Sequence, residues 1–193
     1  MIKSLALGAL LGGLVVFAWS AVSWMLLTWH NPTMHSFTNE AAVAQVLLDN
    51  APRGGMYWLP GLPPGYENLK GDEKKAAEAA MEQRMKTMPF FYGVVHPRAN
   101  FDMARQMTAS ILFDILAALL VTMLVMKTGG MTYGGRVMFI VTVGLAAALI
   151  GVVPNWVWWK FGTGWTVVGT ADVVIAWFLA GLVIAKVAAP KPA

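Results

Sequence analysis

Four stretches of the chain lack the regular polar interruptions of a half-buried helix or strand. Leu5 to Thr28 carries no charge over about 24 positions, enough at 1.5 Å per residue to cross a hydrocarbon core of roughly 30 Å. Gln106 to Met126, Val137 to Val153 and Val167 to Lys186 repeat the pattern, broken within only by Asp114 and Asp172. Each predicts a membrane-spanning helix. Lys3 before an apolar run also resembles the start of a signal peptide. The run is long, however, and Trp19, Trp24 and Trp29 stand where small residues would mark cleavage, so it is read as a retained span.

The polar positions cluster between the first two spans. Thr38 or Asn39 can cap a helix running to about Asn50, with Phe37 as a hydrophobic staple and Ala51-Pro52 as its stop. Met56-Tyr57-Trp58 and Phe90 to Val95 read as short strands, separated by a loop rich in proline and glycine (residues 59–65) and a charged helix that Asp72 caps. Ala77, Met81, Met85 and Met88 share one face of that helix, a stripe read as packing. Too little apolar material lies here for a large independent core. The resulting domain plan is a first span with its N-terminus (1–28), a small α+β cap (29–105), and three further spans with the C-terminus (106–193).

Composition agrees with the pattern: of 193 residues, 58% are hydrophobic and 12% charged, against roughly a quarter charged in soluble domains. Soluble and disordered classes are excluded. The absence of cysteine removes disulfides, thiolate nucleophiles, thiolate metal sites and iron–sulfur clusters. The net charge of +4 is explained by topology. Lys3, Lys127, Arg136, Lys186 and Lys191 flank the spans on one side without an acid among them, the positive-inside signature, whereas residues 29–105 carry eight bases and eight acids. Both termini are therefore expected in the cytoplasm and residues 29–105 outside it. No nucleic-acid partner is implied. Trp29, Trp156, Trp158, Trp159 and Trp165 would form an aromatic belt at the outer interface.

Candidate chemistry centres on Asp114 and Asp172, since an intramembrane carboxylate must be paired, protonated or turned toward water. Ser110, Asp114, Ala117 and Ala118 fall on one helical stripe, as do Gly169, Asp172, Ala176 and Ala180. Small residues mark helix contacts in membranes, so both stripes should face the bundle, as should Gly8, Gly12, Val16, Ser20 and Ser23 in the first span and Gly144, Ala148 and Gly151 in the third. The expected result is a polar pocket of Asp114, Asp172, Ser20, Ser23 and Ser110, with His30, Arg105, Asn155 and Lys160 at its mouth. Its uses include a structural hydrogen-bonded knot, proton or cation handling, and a small-ligand or lipid-headgroup site. His30, Met34, His35 and His96 offer imidazole and thioether suited to copper, but the spacing completes no ligand shell. No metal or other cofactor is assigned, while membrane lipid is an expected bound partner. The turn from Lys127 to Arg136 lacks the order of a phosphate loop, and no HExxH, dinucleotide or Ser-His-Asp signature appears.

The segments Ser23-Trp24-Met25 with Trp29-His30, Ala51-Pro52-Arg53-Gly54-Gly55-Met56-Tyr57, and Asn155-Trp156-Val157-Trp158-Trp159 followed by Asp172 resemble a group of uncharacterised bacterial four-span inner-membrane proteins. The resemblance implies four-span topology and bacterial origin, and carries no activity. The fold class expected is thus an all-α membrane protein, a four-helix bundle with a small extracytoplasmic α+β cap between the first and second spans. The leading function is a non-enzymatic accessory or assembly subunit that packs against a larger membrane complex; the partner expected is another membrane protein or, failing that, a homo-oligomer. The alternatives are a small transporter or proton/cation pathway using Asp114 and Asp172, and a membrane enzyme acting on lipid or quinone.

Overall fold

The structure, a computed structural model, describes residues 2–98 and 101–188. Lys191, one of the flanking bases, lies outside the described residues. The chain divides into two compact units, Met1–His35 with Asp102–Ala193, and Ser36–Phe101. In chain order the elements are α1 (Ile2–Met25), α2 (Glu40–Asn50), β1 (Gly55–Leu59), α3 (Gly71–Thr87), β2 (Phe91–Val95), α4 (Met103–Lys127), α5 (Tyr133–Gly151), α6 (Val153–Trp159) and α7 (Thr163–Val187).

Helices α1, α4 and α7 and the nearly continuous α5–α6 pair are each long and apolar enough to cross a membrane. Their outward surfaces bear this out physically: Leu112, Phe113, Leu116 and Leu120 on α4 and Ile150 on α5 are all well exposed, an arrangement stable in lipid and unfavourable in water. This is a multi-pass membrane protein, and mostly helical.

Close approach of backbones holds the first unit together. A Cβ on Gly8 would meet the Thr122 side chain at 2.5 Å, and one on Gly13 would meet Ile115 Cα at 2.5 Å, so α1 lies against α4 with nothing but hydrogen between. Gly144 gives α5 the same intimacy with Trp177 of α7. α1 packs mainly on α4 and α7, and α7 on α5. Val121, Val125, Val137, Ile140, Ala180 and Ile184 close an apolar core toward the 127–136 loop. Thr122, buried there, turns its hydroxyl back on the Ala118 carbonyl at 2.6 Å, leaving no free polar group. Arg136 ends that core by donating from Nε to the Ala185 carbonyl (2.9 Å) and from Nη1 to the Met131 carbonyl (2.8 Å). α4 and α5, although joined by a short loop and sharing this core, are otherwise little in contact.

Several boundaries differ from the sequence reading, with α4, α5 and α7 starting at Met103, Tyr133 and Thr163 rather than Gln106, Val137 and Val167. The first helix ends at Met25 rather than Thr28: the Leu26 and Leu27 amides both reach the Val22 carbonyl and the chain turns away. The third span, expected to end at Val153, continues through α6, and its connection to α7 is Lys160 to Gly162. Pro154 sits in the first turn of α6, where its missing N–H is no loss. The break it makes is patched by Asn155, whose backbone amide shifts to the Val152 carbonyl and whose side-chain amide donates to the Gly151 carbonyl at 3.2 Å. α3 starts two residues earlier than expected, with Lys70 at the N-cap, and Asp72 lies instead in the first turn, where its charge faces the positive helix end.

In the second unit Asn39, not Thr38, caps α2 by accepting from the Ala42 amide at 3.0 Å. β1 and β2 pair antiparallel with Tyr57 opposite Gly93 and Gly55 opposite Val95. Arg84 of α3 donates to the Gly61 carbonyl at 3.2 Å and the Tyr66 hydroxyl to Glu78 at 2.9 Å, which pins the intervening loop.

Candidate functional site

His30 is the hub of the first unit's polar end. After Met25 the chain reverses through a tight turn (the Asn31 amide on the Thr28 carbonyl) and a 3-10 turn, Asn31–Thr33, that Pro32 starts. The Thr33 hydroxyl donates to the His30 carbonyl at 2.7 Å and fixes the backbone. The reversal folds the imidazole back onto α1, seven residues after Ser23, and buries it to 4% exposure.

His30 Nε2 lies 2.9 Å from Asp172 Oδ2 and 3.1 Å from Ser23 Oγ. Asp172 also accepts from Trp19 Nε1 at its other oxygen, 3.1 Å away. A carboxylate meets two N–H donors in this way, one on each oxygen. Ser23 in turn accepts from Trp29 Nε1 at 3.0 Å. Trp24 stacks flat on the imidazole, 3.9 Å between ring centres and 10° between planes, and Trp29 and Trp165 meet it edge-on.

Ser23, His30 and Asp172 have the composition of a hydrolytic triad without its geometry. A triad sets the acid on one ring nitrogen and the hydroxyl on the other, so that a proton can move between them. Here both reach Nε2, which holds a single proton or a single lone pair. The cluster is a clamp that ties the turn after α1 to α7.

Beside the clamp opens a cleft of about 350 Å³, at the lower end of ligand-pocket sizes. Val16, Trp19 and Ser20 of α1 wall it on one side, and Gly169, Asp172 and Ala176 of α7 on another. Asp114 of α4 and Asn155 of α6 complete its polar lining, with Trp24 and Trp165 over it. Asp114 Oδ2 is sealed from solvent and has no hydrogen-bond partner among the described residues. Ser110, one turn earlier, hydrogen-bonds the same carboxyl.

Of the residues singled out in the sequence, Asp114, Asp172, Ser20, His30 and Asn155 line this cleft and Ser23 stands behind His30. Ser110 and Arg105 are exposed and reach it only through Asp114 or not at all. Lys160 lines a separate shallow groove with Trp156 and Phe161. His35 and Met34 are exposed, and His96 belongs to the other unit, beside Gly54. Among the described residues no three His, Cys, Asp or Glu side chains come together to hold a metal ion.

Comparison with protein families, curated proteins and solved structures finds no match. Function must therefore be argued from the chemistry of the cleft. Trp19 and Trp24 are the residues sequence reasoning missed. Trp19 was visible one helical turn before Ser23 on the same face, where an indole N–H in an apolar setting needs an acceptor.

Proposed function

We propose that this chain is a non-enzymatic subunit of a bacterial inner membrane that holds the polar head of a membrane-soluble ligand, a lipid foremost, in the Trp-lined cleft. The observation that carries the reading is the cleft's asymmetry: polar groups, the unpartnered Asp114 Oδ2 among them, gather at one end of the bundle, above a core of buried valine, isoleucine and alanine. A proton or cation pathway is supported less well, because Thr122 is satisfied by its own helix and the described residues between Asp114 and Arg136 close into an apolar core. Catalysis on lipid has less support too, since the clamp lacks a base and a nucleophile on separate ring nitrogens. The positive-inside charge pattern supports cytoplasmic termini and residues 29–105 outside the cytoplasm, the unit Ser36–Phe101 among them. Sparse contact between α4 and α5 supports access from the lipid side.

The test is extraction in mild detergent followed by native mass spectrometry. The wild type should retain one lipid per chain, or comigrate with a larger complex that does, and Asp114→Asn should lose that lipid while remaining folded. Lipid-free wild-type protein, or equal retention in the variant, would refute the reading.

A further inference from the structure

Resting on the headgroup reading, we infer that the cleft takes an ammonium group, held between the Asp114 carboxylate and the indole faces of Trp19, Trp24 and Trp165. The lining contains two carboxyl groups and no lysine or arginine. An anionic phosphate entering alone would meet two carboxyl groups and only a His30 ring already engaged by Asp172 and Ser23, whereas an ammonium meets a complementary set.

The two carboxyl groups play different parts. Asp172 is engaged at both oxygens, one on the Trp19 N–H and the other on His30. Asp114 is not: its Oδ2 is shut from water, with no partner among the described residues. An acceptor in that state is missing a donor; Asp114 lines the cleft, and a turn of its side chain brings the closed-off oxygen to an ammonium there, which supplies the donor together with the opposite charge. Indoles attract cations through their ring faces; Trp24 has one face covered by the His30 imidazole and only the other to offer, and Trp19, with its N–H committed to Asp172, has its rings left to act as a wall. Aromatic walls with one carboxylate are how an amine is told from an alcohol or a sugar of similar size.

An ammonium can arrive on a phosphatidylethanolamine headgroup or as a free amine, and titration of delipidated protein in nonionic detergent separates the two. The probes are short-chain phosphatidylethanolamine, phosphatidylglycerol with the same tails, and hexylamine, followed by tryptophan fluorescence and native mass spectrometry. Phosphatidylethanolamine should saturate and bind about tenfold or more tighter than phosphatidylglycerol, with a comparable loss in Asp114→Asn, as expected for one charge-assisted hydrogen bond. Hexylamine binding as tightly as the lipid assigns the site to free amines, and much weaker binding assigns it to the headgroup; both support an ammonium. Should Asp114→Asn fail to fold, Trp165→Leu against Trp165→Phe reads the same point, since only phenylalanine keeps a ring face. Equal affinity for the two lipids, or unchanged affinity in Asp114→Asn, overturns the ammonium and leaves the headgroup reading intact. Absence of saturable binding by every probe overturns both.

Discussion

Replacing Asp172 by asparagine and His30 by glutamine, singly and together, isolates the bond that fastens the turn after α1 to α7. The pair is 2.9 Å apart, with side chains 5% and 16% exposed, so screening is slight. Neutral interhelical hydrogen bonds in a bilayer average about 0.6 kcal/mol. A charged partner roughly doubles the strength of such a bond, and about 1.5–3 kcal/mol is typical for charge-assisted bonds in soluble proteins. A short, nearly buried bond to a carboxylate inside a membrane bundle therefore belongs at about 1–2 kcal/mol. In Asp172→Asn the side-chain amide oxygen can still accept from Trp19, and the lost stack of Trp24 on His30 appears in both arms of the cycle and cancels. The assay is unfolding in mixed micelles of mild detergent and dodecyl sulfate, followed by tryptophan fluorescence, because four indoles surround the pair. A coupling energy below about 0.3 kcal/mol, with both single variants folded, would refute the clamp.

Gly13→Ala should destabilise the bundle by about 1–3 kcal/mol less the roughly 1 kcal/mol that alanine adds as a helix former. The new methyl meets Ile115 backbone at 2.5 Å, which cannot rotate aside. Gly151→Ala, with nothing within 4 Å, should be neutral or stabilising in the same unfolding assay, and equal effects at the two positions would contradict the α1–α4 approach. Arg136→Leu should lower stability by about 2–3 kcal/mol by stripping the Ala185 and Met131 carbonyls of a charged donor, and an unmoved unfolding midpoint would count against it. Tyr66 titrates above the ordinary tyrosine value, mainly because its hydroxyl donates to Glu78, with burial and the Glu78 charge adding to the rise. The folded state thus prefers the protonated phenol, so this contribution is present below the unfolded tyrosine range and lost as pH rises through the folded value. In Glu78→Ala the absorbance titration assigned to Tyr66 by difference from Tyr66→Phe should move down, and an unmoved curve would remove the hydrogen bond as its cause.

The spans were legible because an apolar run of membrane length has one use, and the inward faces because helical period and small residues coincide. Spacing alone set Asp114, Asp172 and Ser20 on those faces, and all three line the cleft. The clamp was not legible. His30 reaches Ser23 only because the chain reverses after Met25, and that reversal depends on amides sharing the Val22 carbonyl, which no local propensity announces. Nor does spacing along α1 alone show that Trp19 points its N–H at a residue 153 positions away. The third span runs past Val153 because Pro154, which interrupts the sequence pattern there, stands in the first turn of α6, where proline is a start. Ser110 illustrates the limit of stripe arguments, since it shares a face with Asp114 in sequence yet lies one turn further out, where that face has become exposed.

The closed apolar floor beneath the cleft makes the molecule a cul-de-sac. A guest would leave by the doorway it used, so nothing would be carried across, and how often the chamber is filled would follow the abundance of that guest on the doorway's side. If the proposed headgroup binding holds, such a chamber would report on one leaflet and not on the other. The turn that bears His30 forms its threshold, and a guest lodged against Asp172 would press directly on the hinge that fastens that turn to α7.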